Sequence, residues 1–230
     1  MNRITLTLTT EVADRLTALA ARPVESAAVL LARRAALPNG GIRLLGVRLL
    51  DVPDDAYHER TDTALGISSD GFMPALRETE HAGATAIWVH THPAPGSTPT
   101  PSRRDATVDA QLADTFRTRT GSRLYGTLIV APHEDGMTFT GRIEGEYRAA
   151  IDRIFIAGPT FRLVRSFDSG TPALPALRDR QIRAFGTEIQ RVLGDLKVAV
   201  VGAGGTGSAV AEQLVRLGIR RLTLIDPDTL

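Results

Sequence analysis

Thr85-Ala86-Ile87-Trp88-Val89-His90-Thr91-His92-Pro93 joins an uninterrupted apolar run to two histidines spaced two residues apart. The run predicts a buried strand over 85–90 and, with the helical periods on either side of it, sets the fold class as α/β. Side chains two apart on a strand point the same way, roughly 6.6 Å apart along it, so both imidazoles can reach one ion. Asp105 follows His92 by thirteen residues, and Ser102-Arg103-Arg104-Asp105 predicts a helix start whose first turn folds that carboxylate back over the strand end. Two imidazoles and one carboxylate leave a fourth tetrahedral position for water, the arrangement of a catalytic zinc site rather than a structural one.

Each of these residues also has a plainer reading. An isolated histidine in a strand is ordinarily hydrogen-bonded or at the surface. Ser102-x-x-Asp105 is equally an N-terminal capping pattern in which both side chains satisfy orphan amides, and the cap and ligand roles compete for one carboxylate. Two imidazoles at a core edge each need polar partners, however, and the cap leaves them unexplained, which favours ligation. His58, His81 and His133 have no such context and read as surface residues.

Outward from this strand, residues 1–145 read as one mixed unit. It comprises a strand over 4–8, a helix over 10–21 with Val12, Leu16 and Leu19 on one face, strands over 27–32 and 42–52, and a short helix near 73–81. After the histidine strand come a stiff loop over 94–101 with three prolines, a helix over 105–118 with Val108, Leu112 and Phe116 in register, and a hairpin of strands over 124–131 and 137–142. Residues 146–177 read as a connecting segment, helical over 147–156, with Ser169-Gly170-Thr171-Pro172-Ala173-Leu174-Pro175 as linker. From 178 onward a helical period over 179–193 precedes a buried parallel strand over 197–201, the run Gly202-Ala203-Gly204-Gly205-Thr206-Gly207, a helix over 208–217 and a strand over 221–225. This is a βαβ unit. Gly202-x-Gly204-x-x-Gly207 offers backbone amides and a helix N-terminus to phosphate, and Asp226, 19 residues past Gly207, is placed for ribose hydroxyls. The pattern alone leaves the nucleotide open.

With 27 Lys+Arg against 26 Asp+Glu in 230 residues, charge gives no reason to expect nucleic acid or an anionic membrane as partner. The pairs Arg33-Arg34, Arg103-Arg104 and Arg220-Arg221 read as solvated element ends. Absence of cysteine excludes, within these residues, a disulfide framework, a thiolate zinc site and a thiol nucleophile. Met1-Asn2-Arg3-Ile4-Thr5-Leu6 alternates like a strand and lacks a signal-peptide core, so a cytoplasmic location is expected. Asp226-Pro227-Asp228-Thr229-Leu230 directly follows an apolar strand pattern, which predicts a longer parent protein.

Glu25, His90, His92, Pro93, Ser102 and Asp105 together resemble the signature of the JAB/JAMM (MPN-domain) metalloproteases, over roughly residues 3–142. The resemblance implies a JAB/MPN-like (cytidine-deaminase-like) mixed sheet with flanking helices, and cleavage of peptide or isopeptide bonds after ubiquitin or ubiquitin-like proteins. It further implies Zn2+ held by His90, His92 and Asp105, Glu25 as the group that takes a proton from water and returns it to the leaving amine, and Ser102 as donor to the oxyanion. Glu25 is chosen over Glu11 or Glu59 on this ground, since Pro23-Val24-Glu25-Ser26-Ala27 precedes an apolar strand as the family's glutamate does. Twelve residues separate His92 from Asp105 where the family usually has ten, and a loop extension over 98–101 accounts for the difference.

Asp179-Arg180-Gln181-Ile182-Arg183-Ala184-Phe185-Gly186, Gly204-Gly205-Thr206-Gly207-Ser208 and Ile225-Asp226-Pro227-Asp228 resemble the opening of ThiF/MoeB and ubiquitin-activating adenylyltransferases. That resemblance implies the start of a Rossmann-like ThiF domain over 178–230 that uses ATP and Mg2+. Gly202, Gly204, Gly205 and Gly207 would surround the ATP phosphates, Asp226 would hold ribose, and Arg180 would reach a neighbouring subunit's ATP in a homodimer. The plainer reading of Arg180 and Arg183 is an exposed helix face. The family's later residues lie beyond Leu230, so this chain alone is not expected to adenylate. The combined expectation is a zinc isopeptidase fused to an adenylyltransferase, with a ubiquitin-like protein or its conjugate and a conjugating enzyme as partners. The alternatives are a Rossmann oxidoreductase with a metal-dependent substrate domain, and a non-catalytic MPN scaffold.

Overall fold

Ile4, Leu6 and Leu8 are buried at every second position of strand β1 (Ile4–Thr9), which runs directly into helix α1 (Thr10–Ala20). The turn is fixed by Thr9, whose hydroxyl accepts from the Val12 N–H at 3.3 Å as the helix N-cap. Strands β2 (Ala27–Ala36), β3 (Ile42–Asp51), β4 (Tyr57–Arg60) and β5 (Leu65–Ile67) follow, then α2 (Met73–Ala82), β6 (Thr85–Thr91) and α3 (Arg103–Thr120). Strands β7 (Leu124–His133), β8 (Gly136–Gly145), β9 (Ala149–Ala157) and β10 (Arg162–Arg165) complete the first part of this computed structural model. Residues 4–37, 42–94, 99–134, 136–146, 148–159, 162–167 and 179–228 are described, and the chain divides into two compact units, Met1–Gly170 and Thr171–Leu230. The predicted 169–175 linker, residues 95–98 of the proline loop and the final two residues lie outside the described residues.

The mixed sheet expected of the first unit is closed on itself. Its order is β1-β3-β2-β6-β7-β8-β9-β10, and β9 also pairs in parallel with β1, so seven strands form a ring with β10 outside it on β9. The strand that closes the ring is the segment predicted as a helix over 147–156. Ile151 pairs with Ile4, but Arg153 pairs with Thr5, so Asp152 is a bulge. That extra residue spaces the buried Ile151, Ile154 and Ile156 by three and then two, and the first interval imitates a helical period.

Two apolar clusters lie on opposite faces of the sheet. Ala28 and Leu30 of β2 and Ile87 and Val89 of β6 join α1 in one, whereas Val29, Leu31, Ala86 and Trp88 join α2 and α3 in the other. Burial on both faces is why these two strands read as continuous apolar runs. In α3 the face turned to the sheet is Asp109, Leu112, Ala113 and Phe116, not the predicted register through Val108, which is 38% exposed.

The second unit holds α4 (Asp179–Phe185), α5 (Thr187–Asp195), β11 (Lys197–Val201), α6 (Gly205–Leu217) and β12 (Arg221–Ile225). The single helical run expected over 179–193 breaks at Gly186, whose φ of +83° stops helix propagation. Strand β11 pairs in parallel with β12 as expected, yet it is not buried: Val201 is 77% and Ile225 51% exposed. A parallel pair needs cover on both faces, and among the described residues these two strands have no third neighbour. No described helix is long and apolar enough to cross a membrane.

Candidate functional site

His90 stands opposite Ala27 of β2 and Ile129 of β7, and shares the strand face of Ala86 and Trp88, on the side covered by α3. The ladder continues one step past the strand, where the His92 N–H donates to Val130 O at 2.9 Å. This brings the two rings to 5.3 Å between centroids. At the start of α3 the Asp105 N–H donates to Ser102 Oγ at 3.1 Å while the Ser102 N–H donates to Asp105 Oδ2 at 2.7 Å, a full capping box. The same Oδ2 lies 3.6 Å from His90 Nε2 and 3.7 Å from His92 Nε2. The oxygen that caps the helix is thus the same one that faces the two imidazoles, so the cap aims it at them.

The three donor atoms lie within 4.8 Å of one another. Ligands about 2.0–2.1 Å from a tetrahedral zinc stand about 3.3 Å apart, and the two Asp105–imidazole distances of 3.6 and 3.7 Å exceed that by only a few tenths of an ångström. The His90 side chain is only 3% exposed, yet neither ring nitrogen has a hydrogen-bond partner among the described residues. Such an unsatisfied imidazole is costly, and coordination through Nε2 would remove half of that cost. Burial alone would raise the Asp105 pKa; the two imidazoles facing it and the Ser102 N–H hold it well below the usual carboxylate range.

Glu25 enters the same cavity from the residue pair preceding β2, and its backbone is clamped on both sides. The Glu25 N–H donates to Thr61 O at 2.7 Å, and Arg60 Nε donates to Glu25 O at 3.0 Å while its Nη2 reaches Ser26 Oγ at 2.6 Å. Arg60 stacks over Tyr57 at 4.3 Å, and the Tyr57 phenol oxygen accepts from the Ala27 N–H at 2.9 Å. Glu25 is 7% exposed, and burial raises its pKa, an effect that His92 and then His90 partly offset.

A cavity of about 620 Å3 joins Glu25, His90, His92, Ser102 and Asp105. Leu65, Ile67, Phe72, Trp88 and Val108 give it an apolar wall, which is why Val108 leaves the core register. Arg104, hydrogen-bonded to Glu59 at 2.6 Å, and His58, read from sequence as a plain surface residue, also line it. Sequence reasoning missed Asp109, whose signal was a carboxylate four residues after Asp105 on an otherwise apolar face, and Arg60, for which no local signal exists. His81, with Nδ1 2.9 Å from Arg77 O, and His133 are exposed as expected.

In the second unit the glycines divide by task. Gly202 has φ +88°, and a Cβ on Gly207 would stand 1.7 Å from Gly202 O, so these two serve the turn and the close approach of α6 to β11. Gly204 and Gly205 have nothing within 4 Å of a Cβ position and face open space at the α6 N-terminus, where Gly204 makes no side-chain cap. Asp226 accepts from the N–H groups of Ala203 and Asp228, which lower its pKa, and so ties the strand end to the loop. Arg180 is exposed on α4. Gly207→Ala is therefore expected to force α6 off β11 at a cost of about 1–3 kcal/mol, whereas Gly204→Ala leaves the fold nearly unchanged. Thermal melts of the two variants test the contrast.

A glycine turn between a parallel strand and a helix, with an acidic residue at the next strand end, is the βαβ arrangement found in nucleotide-binding folds. Residues 178–230 match the model of the ThiF family. SUMO-activating enzyme subunit 1 of Xenopus laevis is 46% identical over 48 residues, covering 21% of this chain and 14% of that protein. The Homo sapiens counterpart is 42% identical over the same length. Molybdopterin-synthase adenylyltransferase of Salmonella typhimurium is 47% identical over 53 residues, covering 22% of this chain and 21% of that protein. The chain thus spans 14% to 21% of the length of these curated relatives. A Desulfitobacterium hafniense protein of known solution structure aligns over 66% of this chain and 92% of its own at 16% identity, with a TM-score of 0.42.

Proposed function

We propose that the first unit is a JAB/JAMM-like zinc (iso)peptidase that processes or removes a ubiquitin-like protein, and that residues 178–230 open an adenylyltransferase domain that activates such a protein with ATP and Mg2+. The observation that carries the hydrolase reading is the meeting of three ligand atoms and a buried glutamate in one cavity. The hydrolase domain takes in β9 and β10, since both belong to its sheet.

Zn2+ held by His90, His92 and Asp105 would supply Lewis acidity and lower the pKa of a coordinated water toward about 7. Glu25 faces the two imidazoles from a partly desolvated position, where it accepts a proton and returns it to the leaving amine. Ser102 Oγ spends one lone pair on the Asp105 N–H, so its own proton stays free to donate to the oxyanion. The apolar wall of Leu65, Ile67 and Trp88 suits an extended peptide tail. Ser102→Ala is expected to retain zinc, lose about 1 kcal/mol with the cap, and lower kcat about 10²–10³-fold. Steady-state kinetics with metal analysis checks it.

In the second unit, Gly204 and Gly205 leave room for the ATP phosphates, Gly202 and Gly207 shape the loop, and Asp226 holds ribose. The exposed Arg180 serves a neighbouring copy in a homodimer. The ThiF match and the relatives' names support this over the oxidoreductase reading, and the complete ligand set supports catalysis over a non-catalytic scaffold. The test is cleavage, by the full chain with added zinc, of reporter proteins fused to the C-termini of ubiquitin-like proteins, including those encoded beside its gene. Cleavage at the junction that a chelator stops and zinc restores supports the reading; a zinc-loaded chain that cuts none of them removes it.

A further inference from the structure

The cavity holds a second carboxylate that this mechanism does not use. Asp109, with its side chain 4% exposed, lies one helical turn beyond Asp105 on the same face of α3 and lines the same cavity. Its Oδ2 accepts from Arg142 Nη2 of β8 at 3.1 Å, and Arg142 is in turn fixed by Glu144 at 2.7 Å. Its Oδ1 is buried and has no hydrogen-bond partner among the described residues. His90 presents the complement. Its Nε2 faces Asp105, which leaves Nδ1 on the far side of the ring, buried and equally without a partner. Burial raises the Asp109 pKa, and of the charges that oppose the rise His90 acts most strongly, ahead of the touching Arg142.

Resting on the metal reading above, we propose that Asp109 is a positioning residue for the metal centre: its Oδ1 accepts the Nδ1–H of His90, directly or through one buried water. Once Nε2 gives its lone pair to a cation, the ring proton must sit on Nδ1, and a buried N–H requires an acceptor. Among the described residues of this cavity, Asp109 alone offers a buried carboxylate oxygen with no partner. The chain Glu144–Arg142–Asp109 holds the Asp109 carboxylate through its Oδ2 from β8, which leaves Oδ1 to receive the His90 ring proton once an ion binds Nε2. An outer carboxylate of this kind raises the basicity of the ligand it contacts.

Zinc binding by the full chain, measured in competition with a chromophoric chelator, tests this without a substrate. Asp109→Ala is expected to weaken zinc about 10- to 100-fold, and Asp109→Asn, which keeps the side-chain shape and a neutral acceptor, to weaken it less. The zinc-loaded parent should show a slowly exchanging His90 Nδ1–H in proton NMR that Asp109→Ala loses. Affinity within two-fold of the parent in folded Asp109→Asn and Asp109→Ala, with the resonance unmoved, overturns the inference while leaving the metal reading intact. A parent chain that binds no zinc overturns both.

Discussion

Glu25→Gln is expected to lower kcat about 10²–10⁴-fold while each chain keeps one zinc. Glutamine preserves the size of the side chain and leaves untouched the backbone bonds to Thr61 and Arg60 that place residue 25, so the only loss is the ability to take up and return a proton. The same variant should raise the melting temperature of the metal-free chain. Burial sets the folded pKa of Glu25 above its ordinary value, so its protonated form favours the fold and the ionised form present at pH 7 opposes it. Removing the charge recovers that stability. Opposite signs for activity and stability mark a residue kept for chemistry rather than packing. Full activity in Glu25→Gln would remove Glu25 from the mechanism.

Asp105→Ala is expected to abolish zinc binding and hydrolysis together. Structural zinc sites hold their ion with about 10–16 kcal/mol, so losing one of three ligands costs several kcal/mol, on the order of a thousand-fold in affinity. Alanine also deletes the acceptor of the Ser102 N–H. Asp105→Asn separates the two roles: its amide oxygen still caps α3, so the melting temperature of the metal-free chain holds, but a neutral ligand between two imidazoles binds zinc far more weakly. A melting temperature lowered in Asp105→Ala but held in Asp105→Asn, with zinc affinity unchanged in both, would assign Asp105 to the cap alone.

What could be read from the sequence follows from how local each signal is. His90 and His92 share a strand face by covalent spacing alone, and the Ser102-x-x-Asp105 box places its carboxylate through one helical turn; all three were legible and all three come together. Glu25 needed a family resemblance, because what fixes it, Arg60 and Thr61, lies some 35 residues away on a short hairpin. The ring closure was hidden by a single bulged residue, Asp152, which turned a period of two into an apparent period of three. Asp109 was obscured because a helix facing a cavity need not follow an apolar stripe: Val108 turns to the cavity and the carboxylate turns inward. In the second unit the Gly202 to Gly207 loop was plain in sequence, but exposure of the strand before it was not, since cover by a further strand is a property of the whole sheet.

In the proposed site, His90, His92 and Asp105 grip one cation. Elemental analysis of the full chain, purified under zinc-replete conditions and dialysed, measures this directly. The account predicts one zinc per chain, and none in His90→Ala; a chain that retains no stoichiometric metal, or that retains it unchanged in His90→Ala, contradicts it.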